Sequence, residues 1–229
     1  MSRRSFAVIG LGRFGAAAAT TLVQLNQDVI GIDSSDDRVR ELSDVVLQVA
    51  QLDATDERAL RTAGIQNVDV AVISIGENIE ASLLVVMLVK ELGVKAIIAK
   101  AVTPLHGRIL EKLGVTRVIF PDREMAERLA HSLVVPNVID YIELSREFSI
   151  VEIPAPQEFV GRTLKQLELR PRYGLTLIAI KRPADAGGGM VTNIAPTADD
   201  VFRAGDVLAL LGSNEKLRQL EKFHPVEKP

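Results

Sequence analysis

Phe6-Ala7-Val8-Ile9-Gly10-Leu11-Gly12-Arg13-Phe14-Gly15 decides how the rest of the chain is read. A short apolar run of β type enters a glycine turn, and an alanine-rich segment from Ala16 to Leu25 leaves it as a helix. In that strand–turn–helix setting G-x-G-x-x-G is a phosphate-binding motif. Gly10 permits the tight turn, Gly12 lets the backbone approach a pyrophosphate, and Gly15 lets the helix pack closely on the strand. Phosphates then meet the unpaired N–H groups of a helix N-terminus. Asp33 ends the next β-type run, Val29–Ile32, at the spacing where a carboxylate accepts hydrogen bonds from a ribose. The competing reading is an ordinary glycine-rich turn with a capping aspartate.

Working outward from this stretch, strand and helix patterns alternate from Phe6 to about Ser132. Strands are expected at 6–9, 29–32, 45–49, 68–75, 96–99 and 118–120, each rich in Val and Ile as parallel strands covered on both faces are. Helix start signals stand between them: Ser35-Asp36, Asp53-Ala54-Thr55, Asn78 and Thr103-Pro104, with Gly64, Gly93 and Gly114 as stops. The pattern predicts an α/β fold, a Rossmann-like doubly wound parallel sheet over residues 1–133. A connector is expected at 134–146, a small α+β domain at 147–224 and a tail at 225–229. In the small domain strands are expected at 149–153, 175–181 and 207–211, helices at 163–167 and 214–223, and a flexible turn at 186–189.

A doubly wound sheet binds its ligand across the carboxyl ends of its strands. The residues after each strand are therefore site candidates. Asp53 and Ala54 follow the third strand, where Asp53 either contacts the adenosine part or caps the next helix. Ile75, Gly76 and Asn78 follow the fourth, with Gly76 placed for backbone approach and Asn78 equally suited to capping. Lys100 follows the fifth and either faces phosphate or is solvated. Asp122 follows the sixth, where an acid near phosphates is a candidate ligand for a divalent cation. Arg13, with Phe14 beside it, adds a positive fork inside the phosphate turn. A terminal triphosphate is neutralised by such a fork, whereas a bridging pyrophosphate does not require it, so Arg13 favours ATP or ADP.

Composition excludes several classes. Charge is nearly balanced, 27 basic against 30 acidic residues, and no long basic run is present, which argues against nucleic acid as a partner. Without cysteine there is neither a disulfide framework nor a thiolate nucleophile. No signal-peptide pattern follows the first residues, and the longest apolar run, 81–89, falls far short of a membrane span, so a cytoplasmic protein without membrane insertion is expected. Acid/base machinery for hydride transfer is not recognisable. Tyr141 and Tyr173 are followed four residues later by Ser145 and Leu177 rather than lysine, and His106, His131 and His224 are scattered. The nucleotide reads as a signal rather than a substrate, and no enzyme is expected.

Taken in order, Val8–Gly15, Ala54-Thr55, Ile75-Gly76-Glu77-Asn78, Leu110–Val115, Pro121-Asp122 and Ala204-Gly205-Asp206 resemble the cytosolic regulatory subunits of Trk/Ktr potassium transporters, most closely the KtrA branch. The resemblance covers nearly the whole chain and implies an RCK (TrkA-N) domain followed by a TrkA-C domain. It implies homodimers assembled into an octameric gating ring beneath a membrane potassium-translocating subunit of the TrkH/KtrB type, its shape governed by exchange of ATP for ADP. It places phosphates at Gly10, Gly12 and Gly15, the ribose at Asp33, and Arg13 at the γ-phosphate, in its own or a neighbouring subunit's site. Asp122 stands where the family usually has a glutamate that helps bind a divalent cation, Mg or Ca. Gln51-Leu52 stands where many relatives have glycine. Some relatives bind cyclic di-AMP between C-terminal domains, and Leu169–Gly174 resembles the contributing segment, with Arg170 matching and Pro171 replacing the commoner alanine. The alternatives are an NAD(H)-binding redox-sensing subunit of the same type, or a small NAD-dependent oxidoreductase.

Overall fold

The computed structural model describes residues 3–134, 138–184 and 189–222. The chain divides into two compact units that meet in sequence at the Asp122–Arg123 bond.

The first unit is a six-stranded parallel sheet of β1 (Ser5–Ile9), β2 (Asp28–Asp33), β3 (Gln48–Gln51), β4 (Val70–Ile73), β5 (Ala96–Lys100) and β6 (Arg117–Ile119), in the order β3-β2-β1-β4-β5-β6. This is the expected doubly wound arrangement, and its order reverses between β1 and β4. Helices α1 (Arg13–Gln24), α2 (Asp36–Ser43), α3 (Glu57–Thr62), α4 (Ile79–Glu91) and α5 (Pro104–Lys112) connect the strands. Period-two alternation divides β1 between two cores. Ala7 and Ile9 join Ile73, Val85, Val86 and Val89 in one, while Val8 packs with Leu11, Ala19 and Leu42 in the other. Both faces of β1 are thus apolar, as its sequence required.

Some boundaries moved. The third strand lies at 48–51, not 45–49, because Val45 and Val46 donate their N–H groups to Leu42 O and close the end of α2. Helix α1 begins at Arg13, three residues before the alanine run, so Arg13 belongs to a helix and not to a free turn. Of the expected caps, Asn78 accepts from Ala81 N and Thr103 from His106 N, but α3 is capped by Asp56 rather than Asp53.

In the second unit, β7 (Asp140–Glu143), β8 (Phe148–Pro154), β9 (Thr176–Pro183), β10 (Met190–Asn193) and β11 (Val207–Ser213) form an antiparallel sheet, order β10-β9-β11-β8-β7. Two short helices, α7 (Leu164–Leu167) and α8 (Asn214–Arg218), accompany it, and α6 (Pro121–Val134) precedes it. The stretch 134–146, expected as a connector, carries β7, whose residues pair with 149–152. The turn expected at 186–189 and the end of the last helix at Phe223 lie largely outside the described residues.

Asp206, fully buried, pins this unit. Its carboxylate takes Arg182 Nε and Nη2, both at 2.8 Å, and the Arg203 N–H at 2.9 Å. Removing the carboxylate takes the bidentate partner from the half-buried Arg182 guanidinium and the acceptor from the Arg203 N–H. Asp206→Ala is therefore expected to lower unfolding stability by about 2 kcal/mol, measured by urea denaturation at pH 7.

His106 is a buried titratable group of the first unit, at 1% exposure, and neither ring nitrogen has a hydrogen-bond partner. Burial pushes its imidazole below the ordinary histidine value, which favours the neutral form in the folded protein. The unfolded chain binds the proton more readily, so this contribution is complete above about pH 6.5 and is lost as pH falls through that value. The thermal midpoint is expected to drop between pH 7.5 and 5.5, and by less in His106→Leu.

Candidate functional site

The glycine loop joins β1 to α1 at the carboxyl edge of the sheet. Gly10 adopts φ +92°, and its N–H donates to Ile32 O at 2.8 Å. A β-carbon on Gly10 would stand 3.1 Å from Ile75 N and from Ser74 C. One on Gly15 would stand 1.8 Å from Gly10 O, so no other residue fits there without moving the turn. Gly12 differs. It is the N-cap of α1 with φ −65° and ψ −176°, supplies no side-chain cap, and a β-carbon there would meet nothing within 4 Å. The first-turn N–H groups of Arg13, Phe14 and Gly15 have no earlier helical carbonyl to bond, and α1 has no acidic residue in that turn. Open space over Gly12, at the N-terminus that carries these donors, suits an anion. Arg13 is exposed beside them.

Asp33 is 5% exposed. Its Oδ2 accepts the Leu11 N–H at 2.6 Å, its Oδ1 accepts the Ser35 N–H at 2.9 Å, and Arg38 Nη1 lies 3.4 Å from Oδ2. The residue expected at the ribose thus also ties the glycine loop to the end of β2. Next to it, Asp53 is exposed and accepts from the Thr55 hydroxyl at 2.7 Å and the Thr55 N–H at 2.9 Å. Those two bonds, the side-chain one first, hold its carboxyl below the usual range. Ala54 is buried behind it.

On the other side of the reversal point, a β-carbon on Gly76 would lie 3.1 Å from Val102 Cγ1 and 3.9 Å from Lys100 Nζ. Lys100 is 17% exposed and its Nζ stands 3.5 Å from Asp122 Oδ2, itself 91% exposed. Ile75 thus borders Gly10 of the glycine loop and Lys100 borders Gly76, whereas Asn78 serves as the cap of α4. Asp122 faces a lysine of its own chain, and among the described residues no three acidic, histidine or cysteine side chains cluster to hold a metal.

Arg170 belongs to the second unit. It is exposed on a single π-helical turn, Leu169–Tyr173, flanked by Glu168 and Gly174 at φ +49° and +68°. Sequence reading missed Ser74, whose hydroxyl borders Gly15, and Arg38 beside Asp33. A serine just past a strand or an arginine in the first turn of a helix has no spacing that distinguishes it from any surface residue.

A parallel sheet in this order, with a glycine loop and an acidic end to β2, defines a Rossmann-like nucleotide-binding domain. Residues 6–121 match the TrkA-N domain family and residues 148–224 the TrkA-C domain family. The chain is 39% identical over 220 residues to Ktr system potassium uptake protein C of Bacillus subtilis, covering 96% of this chain and 97% of that protein. It is 34% identical over 221 residues to Ktr system potassium uptake protein A of the same organism, with the same coverage. Among solved structures, the RCK domain of GsuK aligns over 100% of this chain with TM-score 0.65 at 20% identity. The GsuK channel bound to NAD aligns over 99% with TM-score 0.65 at 17% identity. This chain spans 49% and 41% of those two chains, and the likeness is one of fold. The chain belongs to the TrkA-N/TrkA-C family of Ktr and Trk potassium-uptake proteins. No helix among the described residues is long and apolar enough to cross a membrane.

The two inner glycines have opposite expectations. Gly15→Ala collides with the Gly10 carbonyl and is expected to lower the thermal midpoint by several degrees, whereas Gly12→Ala adopts its backbone without strain and leaves the midpoint within about a degree of the parent. Calorimetric melting of both variants checks this.

Proposed function

We propose that this protein is the cytoplasmic regulatory subunit of a Ktr/Trk potassium-uptake system and senses ATP against ADP at the carboxyl edge of its parallel sheet. The observation that carries the reading is Arg13. It occupies the first position of α1, exposed, among the first-turn N–H donors and next to the open space over Gly12. In this scheme the α1 N-terminus and Gly10, Gly12 and Gly15 hold the inner phosphates, with Phe14 supplying a further first-turn N–H. Asp33 accepts from the ribose, Asp53 and Ala54 border the adenosine, and Ile75, Gly76 and Lys100 close the far side. Arg13 neutralises the γ-phosphate of the same or a neighbouring subunit.

Nucleotide exchange then acts on assembly. Homodimers joined into an octameric ring beneath the membrane-embedded potassium subunit change shape with the bound nucleotide, and the pore follows. No catalytic group takes part. Two further sites depend on assembly. A divalent cation needs ligands from a second subunit to supplement Asp122, and cyclic di-AMP binding at Arg170 needs a facing C-terminal domain. NAD(H), the ligand named for one GsuK structure, is the second reading, because Asp33 accepts from any adenosine ribose.

Calorimetric titration tests the reading. ATP and ADP both bind, and Arg13→Ala weakens ATP about ten- to a hundred-fold while ADP loses less than three-fold, the difference expected for one charge-assisted pair. Equal losses for both nucleotides remove the γ-phosphate role, and tighter binding of NADH than ATP moves the assignment to the redox-sensing alternative.

A further inference from the structure

Arg38 is the third residue of α2, following Asp36 and Asp37. A cation in the first turn of a helix opposes the helix dipole, so its position needs another attraction. The attraction is Asp33: the guanidinium reaches back five residues and places Nη1 3.4 Å from Oδ2. The pair is unequal. The Asp33 side chain is 4% exposed and that of Arg38 45%.

An ionised carboxylate offers about four acceptor positions, two on each oxygen. Oδ2 of Asp33 is filled by the Leu11 N–H at 2.6 Å and by Arg38, and Oδ1 carries the Ser35 N–H at 2.9 Å. One position is left, on Oδ1. A ribose that donates both its 2′- and 3′-hydroxyls to this carboxylate needs two. The two N–H donors are backbone and shape the loop, so neither yields without opening it. Arg38 is a half-exposed side chain on the longest of the three contacts, and it can leave.

We propose that Arg38 is a specificity-determining residue of the nucleotide site, competing with the ribose hydroxyls for Asp33. This rests on the assignment of the sheet edge as an adenine-nucleotide site. The competition concerns the ribose alone. It weakens ATP and ADP by one common factor and leaves untouched any ligand without the diol. Removing the guanidinium does not orphan the buried carboxylate, because the Leu11 and Ser35 N–H groups remain bonded to it.

The test compares ATP with 2′,3′-dideoxy-ATP by calorimetric titration of the full-length parent, Arg38→Ala and Arg38→Met, the last keeping the aliphatic stem. Both variants are expected to bind ATP and ADP about two- to five-fold more tightly than the parent, the range for a partly exposed ion pair, with dideoxy-ATP unchanged. The preference for ATP over dideoxy-ATP rises by the same factor. An unchanged or smaller preference overturns the proposal, as does a loss of NADPH binding with ATP unaffected, which would make Arg38 a clamp for a 2′-phosphate. A parent protein that binds neither ATP, ADP nor NADH overturns the assignment of the site itself, a result distinguishable from the others.

Discussion

The Leu11 N–H donates to the buried Asp33 carboxylate at 2.6 Å, joining the loop after β1 to the end of β2. A carboxylate with so little exposure stays in the fold only where donors replace its water, and here two backbone N–H groups and a guanidinium do so. The same seam carries the bond from Gly10 N–H to Ile32 O, while on the opposite side Ser74 and Ile75 press against Gly10 and Gly15. Held from both neighbouring strands, the glycine loop has its donors arranged before any ligand arrives. Binding then avoids the ordering entropy that a mobile loop would lose.

Much of this was legible in the residues. Apolar Val/Ile runs separated by helix-period segments allow only a sheet covered on both faces, and the glycine motif between the first run and the first helix places the site at its carboxyl edge. The start of α1 was misjudged because Ala16 opens the alanine run, whereas the helix begins where Gly12 leaves the extended conformation. The shift of β3 has a similar cause: Val45 and Val46 look like strand residues by propensity, but the C-terminal turn of α2 uses their N–H groups. Neither tertiary demand leaves a mark on local pattern.

The side-chain partners were less legible than the backbone. Asp33 was recognisable as an acid at the end of a strand, but its bond to Leu11 depends on the loop folding back over β2, a distance of twenty-two residues in sequence. Asp122 and Lys100 each suggested a charged ligand contact, and that the fold sets the two 3.5 Å apart had no mark in their spacing. In the second unit, Ala204-Gly205-Asp206 stood out as a family motif without a function. Its reason is structural, since the buried Asp206 holds Arg182 of β9 and the turn at Arg203. β7 was hidden because four residues following a break resemble a linker until the partner strand supplies its register.

Two arginines at the sheet edge divide the nucleotide problem between them. A ligand shifts a conformational equilibrium only by the amount it prefers one state, and couplings between sites are typically about 1–3 kcal/mol. The α1 N-terminus and the glycine N–H groups act on the inner phosphates, which ATP and ADP share, and Arg38 acts on the ribose, which they also share. None of these can generate a difference between the two nucleotides, however strongly they bind. In the proposed scheme only a group beyond the shared atoms can do so, and Arg13, at the head of α1 with its charge exposed, has the reach and the sign. Affinity and discrimination are thus separable by position. Changes around Asp33 move the concentration at which the protein responds to adenine nucleotide, while changes at Arg13 alter which nucleotide it responds to.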